Sequence, residues 1–502
     1  MKKQIVNPYL PLDVCQPDGE PHVFNGRLYL FGSHDTLGGN RFCRENYEFY
    51  SAPLEDLTDW SSPGISYDKS LDPDVCETGK YPDLYAPDVV QGNDGRYYLY
   101  YAPSGGNANG FSHAFTDHIH VAVSQAPDGP YHYYGCVRNL DGTPFQRGLA
   151  FDPSLINDEG TIRMYYGWGF LFPAVCKKGP LFRLQSAIMD RVSSHMFDLS
   201  AQQKQEGYLG AYTVTLADDM LTVTSEPVKI LPGQKESFGT QWEGHAFFEA
   251  SSIRKIGDSY YFVYSSEAQH ELCYATSKYP DRDFRYGGVI ISNGDIGLNG
   301  RKPKDRLAAT GNNHGGIVCV KGQWYVFYHR HTHLTQYSRQ GCAEKIEICP
   351  DGSIPQVEMT SCGLNKGPLL TQGTYNATIC CNLTNGRMPH TGDVRRKGSI
   401  PYITHDKAGP YIANITSGTR VGYKYFAFDG KIELTLEAKA AGVFTIWVGE
   451  SLLGRVAFSS RKKWEKRTLA LSTQGTKAMY FHYFGKPGGA LRGFSFERKG
   501  NA

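Results

Sequence analysis

The sequence lacks the features that mark membrane proteins and nucleic-acid-binding proteins. It has no run of the ~18 apolar residues that a membrane span needs, and its formal net charge is only +2 over 502 residues. A balanced charge provides no electrostatic reason to bind nucleic acid or an acidic membrane surface. We therefore expect neither of these partners, and the sequence leaves the oligomeric state open.

The cysteines lack any pattern that would indicate disulfide pairing or metal binding. Twelve cysteines are scattered along the chain without a CxxC motif, and one pair, Cys380 and Cys381, is adjacent. The N-terminal segment MKKQIVNPYLPL also lacks the apolar region of a secretory signal. We therefore expect a cytoplasmic protein with free thiols, unless a cleaved signal precedes this sequence.

Aromatic residues, in contrast, are abundant: they make up 13% of the chain and include 34 tyrosines. Such residues favour strands and form surfaces on which sugars stack. They recur here in one pattern, which consists of a polar anchor, a Gly, Asn or Asp turn, and an aromatic strand. The pattern occurs five times, with the anchors Glu20, Asp88, Asp152, Glu249 and His314.

Each copy of the pattern has the size of one propeller blade. Successive anchors are 64 to 97 residues apart, and each copy contains a hairpin turn. Because each anchor opens the first strand of its copy, the five anchors should converge near a central axis. The sequence therefore predicts a five-bladed β-propeller over residues 1–362.

A chain of 502 residues is too long for one ordinary core, so a second domain is expected. From about residue 365 the repeated pattern gives way to alternating strands with Gly turns. This alternation is typical of a β-sandwich. The predicted fold class is therefore all-β, with the propeller followed by a β-sandwich over residues 370–502.

Glu249 has the local sequence of a proton donor. It follows Phe247 and Phe248 and precedes the small residues of 250–252. Apolar neighbours disfavour the ionised form of a carboxyl group and raise its pKa, which lets it donate a proton near neutral pH. The alternative is a carboxylate that caps a backbone group at the end of a strand.

Six short motifs carry a resemblance to a known family. They are NPYLP at 7–11, APDV at 86–89, FDPS at 151–154, FFEASS at 247–252, NNHGG at 312–316 and YHRHT at 328–332. Together they resemble glycoside hydrolase family 43, an inverting family with a five-bladed propeller. The resemblance implies that Glu249 is the general acid and that Asp152 tunes its pKa and holds it in place.

The position of the general base departs from the family pattern. The family usually has an Asp-Pro here, whereas this sequence has Glu20-Pro21, with Asp18 two residues earlier. Residues two apart on a strand share a face, so either carboxylate could reach inward. We favour Glu20 because of the adjacent proline and keep Asp18 as the alternative base.

The resemblance also implies binding residues around the acids. Asp35 matches a position that holds sugar hydroxyls, although it could instead cap a turn. Asp88 could orient pocket groups or be structural, and Trp168 could be a sugar platform or part of the core. Arg339 matches an arginine at the pocket floor.

His314 resembles a family histidine that faces the central channel, often near a bound calcium ion. Calcium prefers oxygen ligands, so one histidine with waters would form a weak site. We expect no other cofactor.

The C-terminal region resembles carbohydrate-binding module family 6 in two segments, GYKYFAF at 422–428 and LRGFSFE at 491–497. Three aromatic residues here could stack on sugar or fill the core. They are Tyr423, Trp447 and Trp464.

The resemblance implies an inverting exo-glycosidase whose partner is an oligosaccharide of the plant cell wall. It would remove terminal α-L-arabinofuranosyl or β-D-xylosyl residues. The alternative is a non-catalytic carbohydrate-binding propeller, which the missing Asp-Pro would support.

Overall fold

The computed structural model describes residues 4–73, 82–104, 118–169, 188, 209–390 and 398–498. Within these ranges the fold is all-β, with five small sheets followed by one large sheet. The helical segments of this part of the chain are short, and none is long and apolar enough to cross a bilayer. They are Lys69–Leu71, Gln234–Ser237, Asn293–Asp295, Leu298–Gly300, Pro303–Asp305 and Ala377–Ile379.

The five small sheets are the predicted propeller blades, and each is an antiparallel meander. Blade 1 comprises β1 (Glu20–Phe24), β2 (Arg27–Phe31) and β3 (Tyr50–Pro53). Blade 2 comprises β4 (Asp83–Gln91), β5 (Tyr97–Ser104), β6 (His120–Ser124) and β7 (His132–Cys136). Blade 3 comprises β8 (Ser154–Asp158), β9 (Thr161–Trp168), β10 (Gly210–Leu216) and β11 (Val228–Pro232).

Blade 4 comprises β12 (Phe247–Ile256), β13 (Ser259–Ser266), β14 (Glu271–Ser277) and β15 (Arg285–Ser292). Blade 5 comprises β16 (Ile317–Val320), β17 (Gln323–His331) and β18 (Arg339–Ile346). A parallel bridge between Gly19 and Gly315 joins the first blade to the last and closes the ring. The five-bladed propeller is thereby confirmed.

Five apolar clusters hold the ring together, and each one lies between two neighbouring blades. Phe31 of blade 1 packs with Leu99 of blade 2, for example, and Leu30 of blade 1 packs with Phe327 of blade 5. Burying such a side chain contributes about 1.5–3 kcal/mol. The aromatic strands of the repeats therefore stabilise the ring.

The large sheet begins at Leu369, after the propeller sheets have ended at Ile346. Its strands run in the order β22-β23-β28-β24-β27-β25-β26, with β19 and β21 on β24 and β20 on β28. These strands are β19 (Leu369–Leu370), β20 (Gly373–Asn376), β21 (Asn382–Thr384), β22 (Tyr402–Asp406), β23 (Gly409–Ile415), β24 (Arg420–Lys439), β25 (Gly442–Val448), β26 (Ser451–Phe458), β27 (Glu465–Gly485) and β28 (Gly489–Arg498).

Tyr423 is fully buried in the core of this C-terminal sheet, so of the two alternatives it fills the core and does not stack on sugar. Its hydroxyl donates to the Ala377 carbonyl oxygen. Trp447 and Trp464 remain partly exposed.

Buried polar contacts fix the C-terminal sheet to the propeller. The Lys424 ammonium lies 2.9 Å from Asp295 and 2.8 Å from Glu358. Arg330, on β17 of blade 5, donates to the carbonyl oxygens of Thr378 and Cys380 at 2.7 and 2.9 Å. Buried charges need such partners, because an unpaired one is costly. The ten cysteines in the described ranges are all free thiols.

Candidate active site

Three acids reach the propeller axis from positions where the backbone departs from regular strand geometry. Asp18 precedes β1 with φ 58°, and Asp152 precedes β8 with φ 46°. In β12 the pairing register shifts on both sides of Glu249, and Ala250 next to it has φ 69°. Left-handed non-glycine residues and bulges are costly and are concentrated at functional sites, where they redirect side chains.

Asp18 is held as an ion. Its Oδ1 accepts a 2.9 Å hydrogen bond from Arg339, and the Nδ1 atom of His329 lies 3.3 Å away. Burial alone would raise the pKa of Asp18, but the Arg339 charge and the contact with His329 hold it well below its usual range. An ionised carboxylate can accept a proton from water.

Glu249 has the opposite protonation preference. Burial and the negative charge of Asp18 raise the pKa of Glu249 to about 8, although an Asn312 hydrogen bond of 3.4 Å opposes the shift. Burial and the Glu249 charge also raise the pKa of Asp152 well above its ordinary value. We treat Glu249 and Asp152 as a pair that shares one proton, and we place this proton on Glu249. The reason is that Asp152 accepts a 2.9 Å hydrogen bond from the Ala250 N–H, which favours the ionised form of Asp152.

His314 lies between two of the acids. Its Nδ1 atom is 3.6 Å from Asp152 and 3.9 Å from Asp18. Burial lowers the pKa of His314 to about 4, so the ring is neutral near pH 7. We refer to Asp18, Asp152, Glu249, His314 and Arg339 as the Asp18 cluster.

Glu20, the base favoured by the sequence, lies in a different environment. Its Oε1 atom is 2.6 Å from Arg254 and accepts a 2.9 Å hydrogen bond from Ser252. His22 lies 3.9 Å from the same oxygen and 2.6 Å from Asp88. We refer to these five residues as the Glu20 cluster. The geometry thus favours the alternative base, Asp18.

The other predicted binding residues are engaged by protein groups. Asp35 accepts hydrogen bonds from the Arg339 guanidinium at 2.8 and 3.0 Å and from the Cys43 N–H at 2.9 Å. Asp88 accepts from the N–H groups of Val89 and Leu155, both at 2.7 Å. Asp35 therefore fixes the arginine, and the contacts of Asp88 favour the structural one of the two roles that the sequence left open.

Trp168 packs against the residues that directly precede two of the acids. Its ring contacts Phe151 at 5.1 Å and Phe248 at 4.8 Å between centroids, both near edge-on. These two phenylalanines directly precede Asp152 and Glu249. Contact between Trp168 and sugar stays a prediction.

The sequence analysis missed residues that position the cluster. The Asn312 side chain donates to Glu249, and its oxygen lies 3.2 Å from His331 Nε2. His329 Nε2 contacts the Asn312 carbonyl oxygen at 2.9 Å, while its Nδ1 faces Asp18. All three residues lie in the motifs NNHGG and YHRHT, so the motifs were the available signal.

Comparisons with known proteins identify the family of this chain. The model of glycosyl hydrolases family 43 matches residues 16–171 and 190–354. A xylosidase/arabinosidase from Thermoclostridium stercorarium is 41% identical over 514 residues, covering 99% of this chain and 99% of that protein. The match therefore extends through the C-terminal sheet.

Solved structures show the same fold. A family 43 enzyme from Xanthomonas citri has a TM-score of 0.52 at 22% identity, covering 71% of this chain and 94% of that one. An exo-beta-1,3-galactanase from Phanerochaete chrysosporium has a TM-score of 0.50 at 12% identity, covering 99% and 98%. The family model and the full-length relative together show that the chain is a glycoside hydrolase. Its family is shown by the sequence matches: the chain belongs to glycosyl hydrolases family 43.

Proposed function

We propose that this chain is an inverting exo-glycosidase that removes terminal xylosyl or arabinofuranosyl residues from xylan or arabinan oligosaccharides. The observation that carries the proposal is the Asp18 cluster, in which Arg339 pairs with Asp18 while burial and the charge of Asp18 raise the pKa of Glu249. The 41% identical relative, named a xylosidase/arabinosidase, supports the substrate class.

In this mechanism Glu249 donates its proton to the oxygen of the leaving group. Asp18 accepts a proton from a water on the opposite side of the sugar, and that water attacks the anomeric carbon with inversion. Asp152 holds Glu249 through the Ala250 backbone and keeps a negative charge beside it. Arg339 donates to the Asp18 carboxylate, and His329 Nδ1 accepts the Asp18 backbone N–H at 3.4 Å, so both residues hold Asp18 in place.

The non-catalytic alternative loses its support. It depended on the missing Asp-Pro, but Asp18 supplies an ionised carboxylate next to Arg339 without the proline.

Two measurements test the proposal. The chain should hydrolyse nitrophenyl xyloside or nitrophenyl arabinofuranoside, and proton NMR at early times should show the inverted anomer as the first product. Release of the retained anomer would disprove the inverting mechanism, and no hydrolysis of either compound would disprove the substrate class.

A calcium ion near His314 is a further proposal. His314 presents a neutral ring nitrogen, and the nearest acids, Asp18 and Asp152, offer the oxygen ligands that calcium prefers. Calcium would fix these groups electrostatically, while both proton transfers stay with the carboxyl groups. Exhaustive chelation should then lower activity modestly.

We also propose that the C-terminal region is a β-sandwich with a carbohydrate-binding surface. Trp447 and Trp464 are partly exposed. The Arg492 guanidinium carbon and the Lys439 ammonium nitrogen lie 4.0 and 4.6 Å from the centre of the Trp464 ring. Binding of xylan by Trp464→Ala, compared with the unmodified chain, tests this surface.

A further inference from the structure

Three side chains of types that bind metal ions meet in blade 4, outside the Asp18 cluster. His245 lies just before β12, and Glu271 and Cys273 lie on β14. His245 Nδ1 is 2.7 Å from Glu271 Oε1, the Cys273 sulfur is 3.5 Å from that oxygen, and it is 4.0 Å from Nδ1. Nothing in the glycosidase mechanism uses these residues.

The spacing of the three atoms suits one transition-metal ion. A point equidistant from the three atoms, in their plane, is about 2.0 Å from each. A point slightly out of the plane is about 2.0–2.3 Å away, the range of zinc bonds to nitrogen, oxygen and sulfur. An ion could therefore occupy this position without large movement of the side chains.

The ligand chemistry selects a zinc-like ion over calcium or magnesium. Thiolate and imidazole ligands suit zinc, whereas calcium and magnesium take oxygen ligands. We propose that His245, Glu271 and Cys273 form a structural zinc site, with a water or a solvent ligand in the fourth position. On binding, the Cys273 thiol releases its proton to solvent and the His245 proton resides on Nε2.

The surroundings hold the three ligands in place and leave one side open. Ser266 Oγ donates to Glu271 at 2.6 Å, and the Tyr286 ring stacks on His245 at 4.9 Å with an interplanar angle of 17°. Cys273 is fully buried, whereas the His245 side chain is 36% exposed. The exposed side of His245 gives the ion a route in from solvent.

A second three-residue group in the described ranges lacks this chemistry. It comprises Glu20, His22 and Asp88. The Arg254 guanidinium, only 2.6 Å from Glu20, already neutralises the carboxylate there and would repel a cation.

The zinc site would stabilise β12, the strand that carries the general acid Glu249. His245 is four residues before Glu249, and its carbonyl oxygen accepts from Tyr264 at 2.8 Å. A metal ion that joins His245 to Glu271 and Cys273 on β14 would fix the N-terminal end of β12. The ion itself would not contact substrate. We therefore expect zinc to increase thermal stability rather than to enter the reaction.

The test uses the untagged full chain after treatment with a chelator. Calorimetric titration with Zn²⁺ should show one tight site and a higher Tm, and Co²⁺ should give a cobalt–thiolate charge-transfer band. Loss of an outer-sphere partner costs about 10–100-fold in metal affinity, so loss of the ligand in Cys273→Ser should cost at least as much and remove the band.

Two further variants make the test decisive. Cys342→Ser changes another buried cysteine, in blade 5, and should keep zinc affinity and the cobalt band. His245→Gln changes a partly exposed side chain, so it should fold even if Cys273→Ser does not, and it should lose tight binding. The inference is overturned if the chain binds no zinc, or if zinc binds equally well to His245→Gln.

Discussion

The Asp18 cluster and the Glu20 cluster start only two residues apart in the chain, yet they differ in chemistry. Asp18 lies with two other acids, Asp152 and Glu249, and one cation, Arg339. Glu20 lies against Arg254 and Ser252, and Asp88 beside it accepts backbone N–H groups of two blades. In the Asp18 cluster the acids outnumber the cations, so the pKa values of the acids are shifted apart, as catalysis requires. In the Glu20 cluster the acids have hydrogen-bond donors as partners, and these contacts hold the blades together.

A raised pKa alone does not separate catalytic acids from structural ones. Burial raises the pKa of Glu344 to about 8, as it does for Glu249. Glu344 of blade 5, however, accepts hydrogen bonds from Thr360 and Tyr328, and these bonds affect its pKa more than the nearby charge of Asp295 does. The proximity of an ionised partner, Asp18, is what distinguishes Glu249.

The largest expected effect separates the two carboxylates of the N-terminal segment. Asp18→Asn should lower kcat by about 10²–10⁴-fold on every substrate, because the attacking water loses its base. Glu20→Gln should leave kcat nearly unchanged, since its carboxylate faces Arg254. Steady-state kinetics on aryl glycosides and oligosaccharides measure both. If the two effects are exchanged, Glu20 is the base.

The next effect depends on the leaving group. Glu249→Gln should lower the rate by about 10²–10⁴-fold on oligosaccharides, which need protonation, and by less on activated aryl glycosides. Glu344→Gln is the matched control, because it removes an equally buried acid outside the cluster. A uniform loss on all substrates would contradict the role of Glu249 as general acid.

A smaller effect concerns pH. Activity needs protonated Glu249, so it falls as pH rises through the raised pKa of that group. Asp152→Asn removes a neighbouring negative charge, lowers the pKa of Glu249, and should move the alkaline limb to lower pH. The pH profile of kcat/KM measures the shift, and Asp158→Asn at the far end of β8 should leave it in place. An unchanged limb in Asp152→Asn would show that the two acids are not coupled.

The smallest effect on activity belongs to the Glu20 cluster. Asp88→Asn weakens the hydrogen bonds to Val89, Leu155 and His22, so it should reduce the free energy of unfolding by about 1–3 kcal/mol. Urea unfolding measures this loss, and kcat of the folded enzyme should change little. A large loss of kcat with full stability would place Asp88 in the catalytic machinery.

The repeated anchors and the aromatic strands were sufficient to predict the propeller, because blade size and hairpin turns are local properties. The choice between Asp18 and Glu20 was not local. The prediction assumed strand alternation through both residues, but β1 begins at Glu20, and Asp18 has φ 58°. A left-handed residue breaks the alternation, so the two side chains diverge.

The positioning residues depend on contacts that no spacing reveals. Asn312 meets Glu249 across 63 residues, and Arg339 meets Asp18 across 321 residues. The first pair joins two neighbouring blades, and the second follows from closure of the ring. Their motifs were visible in the sequence, but their partners were not.

Arg330 has a consequence for engineering this enzyme. It lies between His329 and His331, which contact Asp18 and Asn312, and its guanidinium donates to carbonyl oxygens of Thr378 and Cys380. In a truncated propeller, or in a chimera with a foreign C-terminal region, the cation would lose these two carbonyl oxygens and keep only its bond to Gln340 of blade 5. We therefore expect the two regions to be exchanged between enzymes with less disturbance when they are moved as a pair.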